Sequence, residues 1–575
     1  MRKDWHDLVS QPKYKMKLEE NIPVKARDGM QLWADVYRPE ADGKFPALLA
    51  ISPYGKDTQK FPFPTGPSDY FKGTGGIECG VPSYFVTRGY GHVIADYRGI
   101  GHSEGEYSFL GQKEQEDGYD LVEWIAKQPW CNGNVGMIGM SYFALIQYLV
   151  AALNPPHLKA IFPHDAWTDV YRHVAYHGGI LHFGYLHHLP RQFNTGMTQP
   201  MSKKEFSSEQ LKKKLDDLKN NDDIRALPYL YVTTVHPEKN PLLIDFLLHP
   251  NDGPFYWERS AYTKFDKIKI PCFITSRWNA WYVNLPGATS AYLGIDAPKR
   301  LMIVKTKHAQ GFERPWHENQ DVALRWYDHW LKGIDTGMMD EPPIKLFVQG
   351  INHWRYEYEW PLARTKWTKF YLRGKGSLSE TPPDSNEIPA HFTTKWIIPG
   401  EKCPCVQYET APLVKEMEVT GPSALYIHAS LSSEDGNFIV YIKDVDADGS
   451  ETMVSKGWLK ASHKEIEVSK SKPYQPFHAH TKSVALIPGR IYEYAIDIRD
   501  TSYVFRAGHR VQLVIQGQDA AWEDSLISYH LTRVKDTQCT IYNNAPYPSY
   551  LILPVIPDSG LIEPVCPDTD VACHK

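Results

Sequence analysis

Several things are missing from this chain, and each absence narrows what it can be. No apolar run reaches the roughly 18 residues that suggest a membrane-crossing helix, so no membrane partner is expected. The opening stretch, MRKDWHDLVSQPKYKMKLEE, has no apolar core of the kind a secretory signal carries. A soluble cytoplasmic protein is the expectation. The eight cysteines form no CxxC pair, and the nearest approach, Cys403-Pro404-Cys405, is poor zinc spacing. They read as scattered reduced thiols. No basic block stands out among 63 basic and 68 acidic residues, and the net charge is −5, so nucleic acid is not an expected partner. His187-His188 and His164-Asp165 are adjacent pairs without ligand spacing on one helix face, and no metal or other cofactor is called for. GIGHSEG, beginning at Gly99, lacks the lysine of a phosphate loop and reads as a core turn. There is no fixed-period repeat and no low-complexity run.

What is present is length and aromatic content. At roughly 100–200 residues per domain, 575 residues imply several domains and a large core. Aromatics make up 13%, with 17 Trp and 35 Tyr. That content is common in β-rich chains and in aromatic-lined pockets, although packing accounts for most such residues.

The first part alternates short apolar strands with helical patterns. KFPALLAISPYG holds a buried strand at 47–51, stopped by Pro53, and GYGHVIADYRG holds another. QEDGYDLVEWIAKQPW places Tyr119, Leu121, Val122, Ile125 and Ala126 at helical spacing. Such alternation implies a largely parallel sheet with helices on both faces. From about 170 to 265 the texture turns charged and helical, as in SKKEFSSEQLKKKLDDLKNNDD, which suggests a cap inserted over the site. The sheet pattern resumes at KIPCFITSRW and KRLMIVKTKHAQ. After about 340, short β-branched and aromatic segments such as SALYIHASL, NFIVYIKDVD and RVQLVIQG predict a β-sandwich.

Ser141 ends the strand of NVGMIGMS and starts an apolar helix. A strand that turns sharply into a helix presents a serine Oγ at the top of a sheet, as the nucleophile elbow does. Gly139 precedes it, but Phe143 stands where the second glycine of the strict pattern belongs, so a plain turn with a capping serine competes. The base of such a site follows the nucleophile, on the loop after a late strand. His308, in KTKHAQGF after LMIV, has that position among 24 histidines. One oxyanion donor would be the N–H of Tyr142. The loop AISPYGK offers Tyr54 as the other, or Pro-Tyr-Gly is a turn with an aromatic plug.

The segments PVKARDGMQLWADVYRPEADGKFPALLAISPYGK, ADYRGIGHSEGEY, EQEDGYDLVEWIAKQPWCNGNVGMIGMSYFA, DVYRHVAYHGGI and WYDHWLKGIDTG resemble the CocE/NonD hydrolases. This is the cocaine-esterase-like branch of the X-Pro dipeptidyl-peptidase superfamily. FYLRGKGSLS, SEDGNFIVYIKDVDADGS and YVFRAGHRVQLVI are similar to that family's C-terminal region. The resemblance runs in order over nearly the whole chain. It implies an α/β fold: an α/β-hydrolase core at 1–170 and 266–340, a helical cap at 171–265, and a C-terminal jelly-roll β-sandwich at 341–575. By matching positions it implies Ser141 as nucleophile, His308 as base, and Tyr54 with the Tyr142 N–H as oxyanion hole. The family elbow, G-x-S-Y-x-G, accounts for Tyr142, with Ala144 replacing the last glycine.

The triad acid departs from that pattern. Where the family usually carries Gly-Trp-x-Asp, this chain reads Ser276-Arg277-Trp278-Asn279-Ala280-Trp281. The acid slot falls on Ala280 or, slipped by one, on Asn279. Either Asn279 orients the histidine without charge, or a carboxylate arrives from elsewhere, or the site has left hydrolysis. The expected function is serine acyl transfer on a small, largely apolar ester or amide. A non-hydrolytic cyclase or isomerase of a specialised metabolite, or a catalytically weakened binding protein, is the alternative. Trp167, Trp278 and Trp281 are candidate pocket residues, with core packing as the competing role. The expected partner is a small-molecule substrate, and self-association is left open.

Overall fold

The computed structural model describes residues 5–60, 78–189, 197, 199–304, 316–396, 401–519 and 529–557. Its first part is built on a sheet of strands β1 (Met16–Lys25), β2 (Gln31–Pro39), β3 (Phe45–Ser52), β4 (Gly91–Asp96), β5 (Cys131–Met140), β6 (Leu158–His164), β9 (Cys272–Arg277), β10 (Lys299–Val304), β11 (Ile344–Val348) and β12 (His353–Glu357). A separate hairpin, β7 (Tyr176–His177) with β8 (Ile180–Leu181), lies between β6 and β9 in sequence. The sheet order is β1-β2-β4-β3-β5-β6-β9-β10-β11-β12. From β4 through β11 neighbouring strands are parallel. β1, β2 and β12 pair antiparallel at the two edges. Strands covered on both faces read as continuous apolar runs rather than alternation. β3 does so: every residue from Pro46 to Ser52 is buried.

The helix Tyr142–Ala151 is buried on all sides, as expected of a helix apolar all round. Between β8 and β9 the chain is helical, in short pieces from Phe183–His188 to Pro254–Arg259. One of these, Ser208–Lys219, starts with a full capping box between Ser207 and Gln210. The first sheet does not stop near residue 340. β11 and β12 extend it by two strands, and only from Lys366 does the chain enter the second, 11-stranded β-sheet system. That C-terminal β domain has its own apolar core, including Leu425, Ile427, Ile496 and Leu513.

The two parts are fastened by half-buried polar contacts. Arg172 donates to the carbonyls of His478 and Ala479, while Arg499 donates to the carbonyls of Trp281 and Arg172. Among the described residues Cys79, Cys131, Cys272, Cys403, Cys405 and Cys539 are free thiols. No helix is long and apolar enough to cross a membrane, among the described residues.

Candidate active site

Ser141 sits between the end of β5 and the helix Tyr142–Ala151, with φ 60° and ψ −121°. A non-glycine residue in that region costs roughly 1–3 kcal/mol and persists only where its surroundings over-determine it. Here they do. The Ser141 N–H donates to His164 O at the end of β6 (3.0 Å), and the Met140 N–H donates to Glu78 O (2.9 Å). Ser141 O accepts from the N–H groups of Ala144 and Leu145. Gly139 has φ 141°, and a Cβ there would stand 2.2 Å from Phe143 Cβ, so the elbow requires glycine at this position. The Ser141 side chain makes no capping hydrogen bond to its helix. The capping role therefore falls away, and the hydroxyl points elsewhere: its Oγ lies 3.3 Å from the Tyr54 phenol oxygen.

Tyr54 follows β3, and its position is set by two neighbours. Its N–H donates to Ser52 Oγ (3.2 Å), and the Lys56 N–H donates to Asp96 Oδ1 (2.6 Å). Asp96 closes β4 and is buried; burial lifts its carboxyl to about 6. A Cβ at Gly101 would fall 2.4 Å from Asp96 Oδ2. GIGHSEG is thus a turn whose glycine admits the carboxylate that holds the Tyr54 loop. The Tyr54 ring meets Tyr142 edge-on at 6.2 Å.

Tyr142 contributes its N–H to the first turn of the helix, where backbone donors have no intrahelical acceptor. Its buried phenol donates to Glu114 Oε2 (2.9 Å) and accepts from Tyr107 Oη (3.1 Å) and the Leu110 N–H (3.0 Å). Glu114 also accepts from the Ser108 and Leu110 N–H groups. Burial raises its carboxyl to about 7. The helix N-terminus is therefore pinned from behind by a buried carboxylate.

The other half of the site lies at the ends of β6, β9 and β10. β10 ends at Val304, opposite Arg277 of β9. His308 falls on the chain just beyond, outside the described residues. Asn279 is half-buried in the short turn Trp278–Ala280 that follows β9. Ala280 is 2% exposed and belongs to the apolar core of the first part. A carboxylate does stand nearby at the end of β6. Asp165, buried and with φ 53°, pairs with Arg277 Nε at 2.5 Å and accepts from Ser276 Oγ at 2.9 Å. Next to it, His164 is held down at about 4 by burial, and its Nε2 lies 3.1 Å from the Asn319 amide.

The three tryptophans take different places. Trp278 donates its indole N–H to Phe347 O of β11 (2.6 Å) and lies against Trp360, so it packs onto β11. Trp281 lies 6.1 Å from Trp458 of the C-terminal β domain. Trp167, buried just after β6, meets Tyr185 edge-on at 6.2 Å. Tyr185 is half-buried; desolvation, and then the Tyr54 phenol nearby, raise its pKa well above the ordinary tyrosine value. Asp96, Glu114, Tyr185 and the Asp165–Arg277 pair were not legible as site residues in the sequence. For Asp96 and Asp165 a faint signal existed: each is an acidic residue directly at the C-terminal end of an apolar strand.

A mostly parallel sheet with a strained serine at the strand-to-helix corner defines the class of α/β-hydrolases. The comparisons with known proteins agree. Residues 28–310 match the model of the X-Pro dipeptidyl-peptidase (S15 family), and residues 336–552 match that of the X-Pro dipeptidyl-peptidase C-terminal non-catalytic domain. The chain belongs to this family and is a serine hydrolase of the ester- and amide-cleaving kind. It is 28% identical to a cocaine esterase from Rhodococcus sp. (strain MB1 Bresler), over 93% of this chain and 98% of that one. It is 23% identical to a putative Xaa-Pro dipeptidyl-peptidase from Bacillus cereus, over 87% and 86% respectively. The fold matches the crystal structure of a CocE/NonD family hydrolase from Staphylococcus aureus with a TM-score of 0.78, at 24% identity, covering 94% of both chains.

Proposed function

We propose that the protein transfers acyl groups through Ser141, cleaving a small, largely apolar ester or amide. The observation that carries this is the strained Ser141, whose hydroxyl serves no cap and faces the Tyr54 phenol at 3.3 Å. His308 takes the Ser141 proton as Oγ attacks the carbonyl carbon. The oxyanion formed accepts hydrogen bonds from the Tyr54 hydroxyl and the Tyr142 N–H. Collapse expels the alcohol or amine, protonated by His308, and leaves an acyl-enzyme that water then cleaves. Asn279 orients the imidazole as a neutral partner, and Trp167 walls the acyl side. The aromatic surroundings formed by Tyr54, Trp167 and Tyr185 favour an apolar acyl group over a charged one. The site works in the cytoplasm, without a cofactor in the chemical step.

A fluorophosphonate probe tests the reading. It labels the wild type rapidly at Ser141 and leaves Ser141→Ala unlabelled. A wild type that resists the probe while staying folded overturns it, and promotes the non-hydrolytic alternative.

A further inference from the structure

The turn Trp278–Ala280, which carries Asn279, is held at both ends, and the two holds come from different parts of the molecule. At its start the Trp278 indole N–H donates to Phe347 O of β11. Beyond its end the chain bends into the helix Leu285–Gly294, with Ala280 O accepting from the Val283 and Asn284 N–H groups. The next carbonyl, Trp281 O, is met from outside the segment. Arg499 Nε donates to it at 3.2 Å, from the strand Tyr492–Phe505 of the C-terminal β domain.

Arg499 is itself set by several neighbours. Its Nη2 donates to Arg172 O at 3.0 Å, its Nη1 lies 3.7 Å from Asp497 Oδ2, and its guanidinium carbon lies 5.5 Å from the centre of the Trp458 ring. Trp458 in turn faces the Trp281 indole. The carbonyl and the side chain of Trp281 therefore both rest on the C-terminal domain. One residue further along the strand, the buried Asp500 accepts from the hydroxyl of Thr289, in the helix Leu285–Gly294. A guanidinium is a rigid planar fork, so donors aimed at two carbonyls hold the two in a fixed relation. Here they tie the turn after β9 to the segment Tyr171–Ala175 that follows β6.

We propose that Arg499 is a positioning residue for acyl transfer, acting from the C-terminal β domain through Trp281 O on the turn that presents Asn279. This rests on the reading of Asn279 as the partner of His308. The domain described in its family model as non-catalytic thereby sets the geometry of the base side. Arg506 offers an internal comparison. It is the first residue after the same strand, and its Nη2 donates to Gly350 O, just past β11. It too joins the two parts, without a bond to the turn Trp278–Ala280. A cavity of about 560 Å3, lined among others by Thr289, Trp458, Phe477, Asp497, Arg499 and Asp500, opens beside the Arg499 guanidinium and leaves room for a small solute there.

The test follows hydrolysis of a p-nitrophenyl acyl ester by the full chain, with active sites counted by fluorophosphonate titration. Arg499→Met should lower kcat per active site by about 10–100-fold, the effect that a misplacement of about 1 Å at the chemistry produces, with KM nearly unchanged. Arg499→Lys keeps the charge but not the fork and should show a smaller loss. Ethylguanidine, entering through the cavity, should restore part of the kcat of Arg499→Met, while Arg506→Met should keep the wild-type kcat. Arg499→Met combined with Asn279→Ala should lose no more than the worse of the two single variants, because both act through one turn. A purely structural Arg499 would lower the melting temperature and the number of active sites while kcat per site stayed at the wild-type value, and that result overturns the proposal. Losses that multiply in the double variant overturn it as well. Where Arg499→Met does not fold, Arg499→Lys takes its place in both measurements, and a wild-type kcat there overturns the proposal. Asn279→Ala separates the two readings: a wild-type kcat in that variant removes the Asn279 reading and this one with it, whereas a slowed Asn279→Ala beside an unaffected Arg499→Met removes this one alone.

Discussion

The two halves of the candidate site are built in opposite ways. On the nucleophile side every part is held by buried, short-range contacts. Ser141 is locked between strands β5 and β6, Tyr54 is set by Asp96, and the helix N-terminus is pinned by Glu114. On the base side, in the reading proposed above, Asn279 stands in for the family's carboxylate. The buried carboxylate close by, Asp165, is already engaged by Arg277. A rigid oxyanion side beside a neutral orienting side suggests that charge stabilisation at the carbonyl oxygen matters more here than polarisation of the imidazole. On the proposed reading, the enzyme relies on what it presents to the transition state more than on how basic its histidine is.

The largest expected effect tests the rigid side at its centre. Ser141→Ala should lower acyl transfer by more than about 10⁴-fold with an unchanged or raised melting temperature, because the strain stays while only a hydroxyl is lost. Steady-state turnover and a thermal melt check both halves of that statement. Next, Tyr54→Phe should lower kcat by about 10²–10³-fold with little change in melting temperature. Equal activity with reduced stability would make the phenol a structural plug and would dissolve the contrast between the two sides.

Smaller effects come from the supports. Glu114→Gln is isosteric, yet both carboxyl oxygens accept from backbone N–H groups. An amide NH2 in place of one oxygen leaves a buried donor facing a donor, at about 1–3 kcal/mol. The pH profile carries a second signature. Burial raises Glu114 to about 7 in the folded state, above its unfolded value of roughly 4.3. The folded chain therefore binds the proton more tightly, and the corresponding stability is full below the unfolded value and is lost as pH rises through about 7. The difference between the wild-type and Glu114→Gln melting profiles from pH 4 to 8 isolates this group from Asp96, whose raised carboxyl acts in an overlapping window. The smallest effect sharpens the comparison from the other side. Asn279→Asp should raise hydrolysis of a p-nitrophenyl acyl ester about tenfold, worth ~1.4 kcal/mol of barrier. Ala280→Asp should give no gain and should destabilise the fold, since Ala280 lies in the apolar core.

The sequence exposed the elbow because an elbow is local. A strand, a glycine, a serine and an apolar helix lie within twenty or so consecutive residues, and their pattern is read directly. The same holds for the strand-helix alternation of the core and the charged helices after β8. The supports were not legible because they are distant in sequence. Asp96 holds Lys56 of the Tyr54 loop from 40 residues away, and His530 meets His177 across 353. The end of the first sheet was hidden for a different reason. β11 and β12 are short and β-branched or aromatic, a texture that fits the edge of the α/β sheet as well as the β domain that follows. Trp278 shows the same ambiguity: an aromatic beside a catalytic loop can face the pocket or, as here, donate its N–H to β11 of the same sheet.

The continuation of the first sheet through β11 and β12 bears on how this protein can be produced and dissected. A fragment ending near residue 340 would keep Ser141 and β10 but lose both strands. The parallel hydrogen-bonding edge of β10, which pairs with Ile344–Leu346 in the intact chain, would then be bare. An uncovered, apolar strand edge is a template for pairing with other molecules, so such a fragment would be recovered mainly as aggregate. A division placed between β12 and Lys366 leaves the sheet sealed.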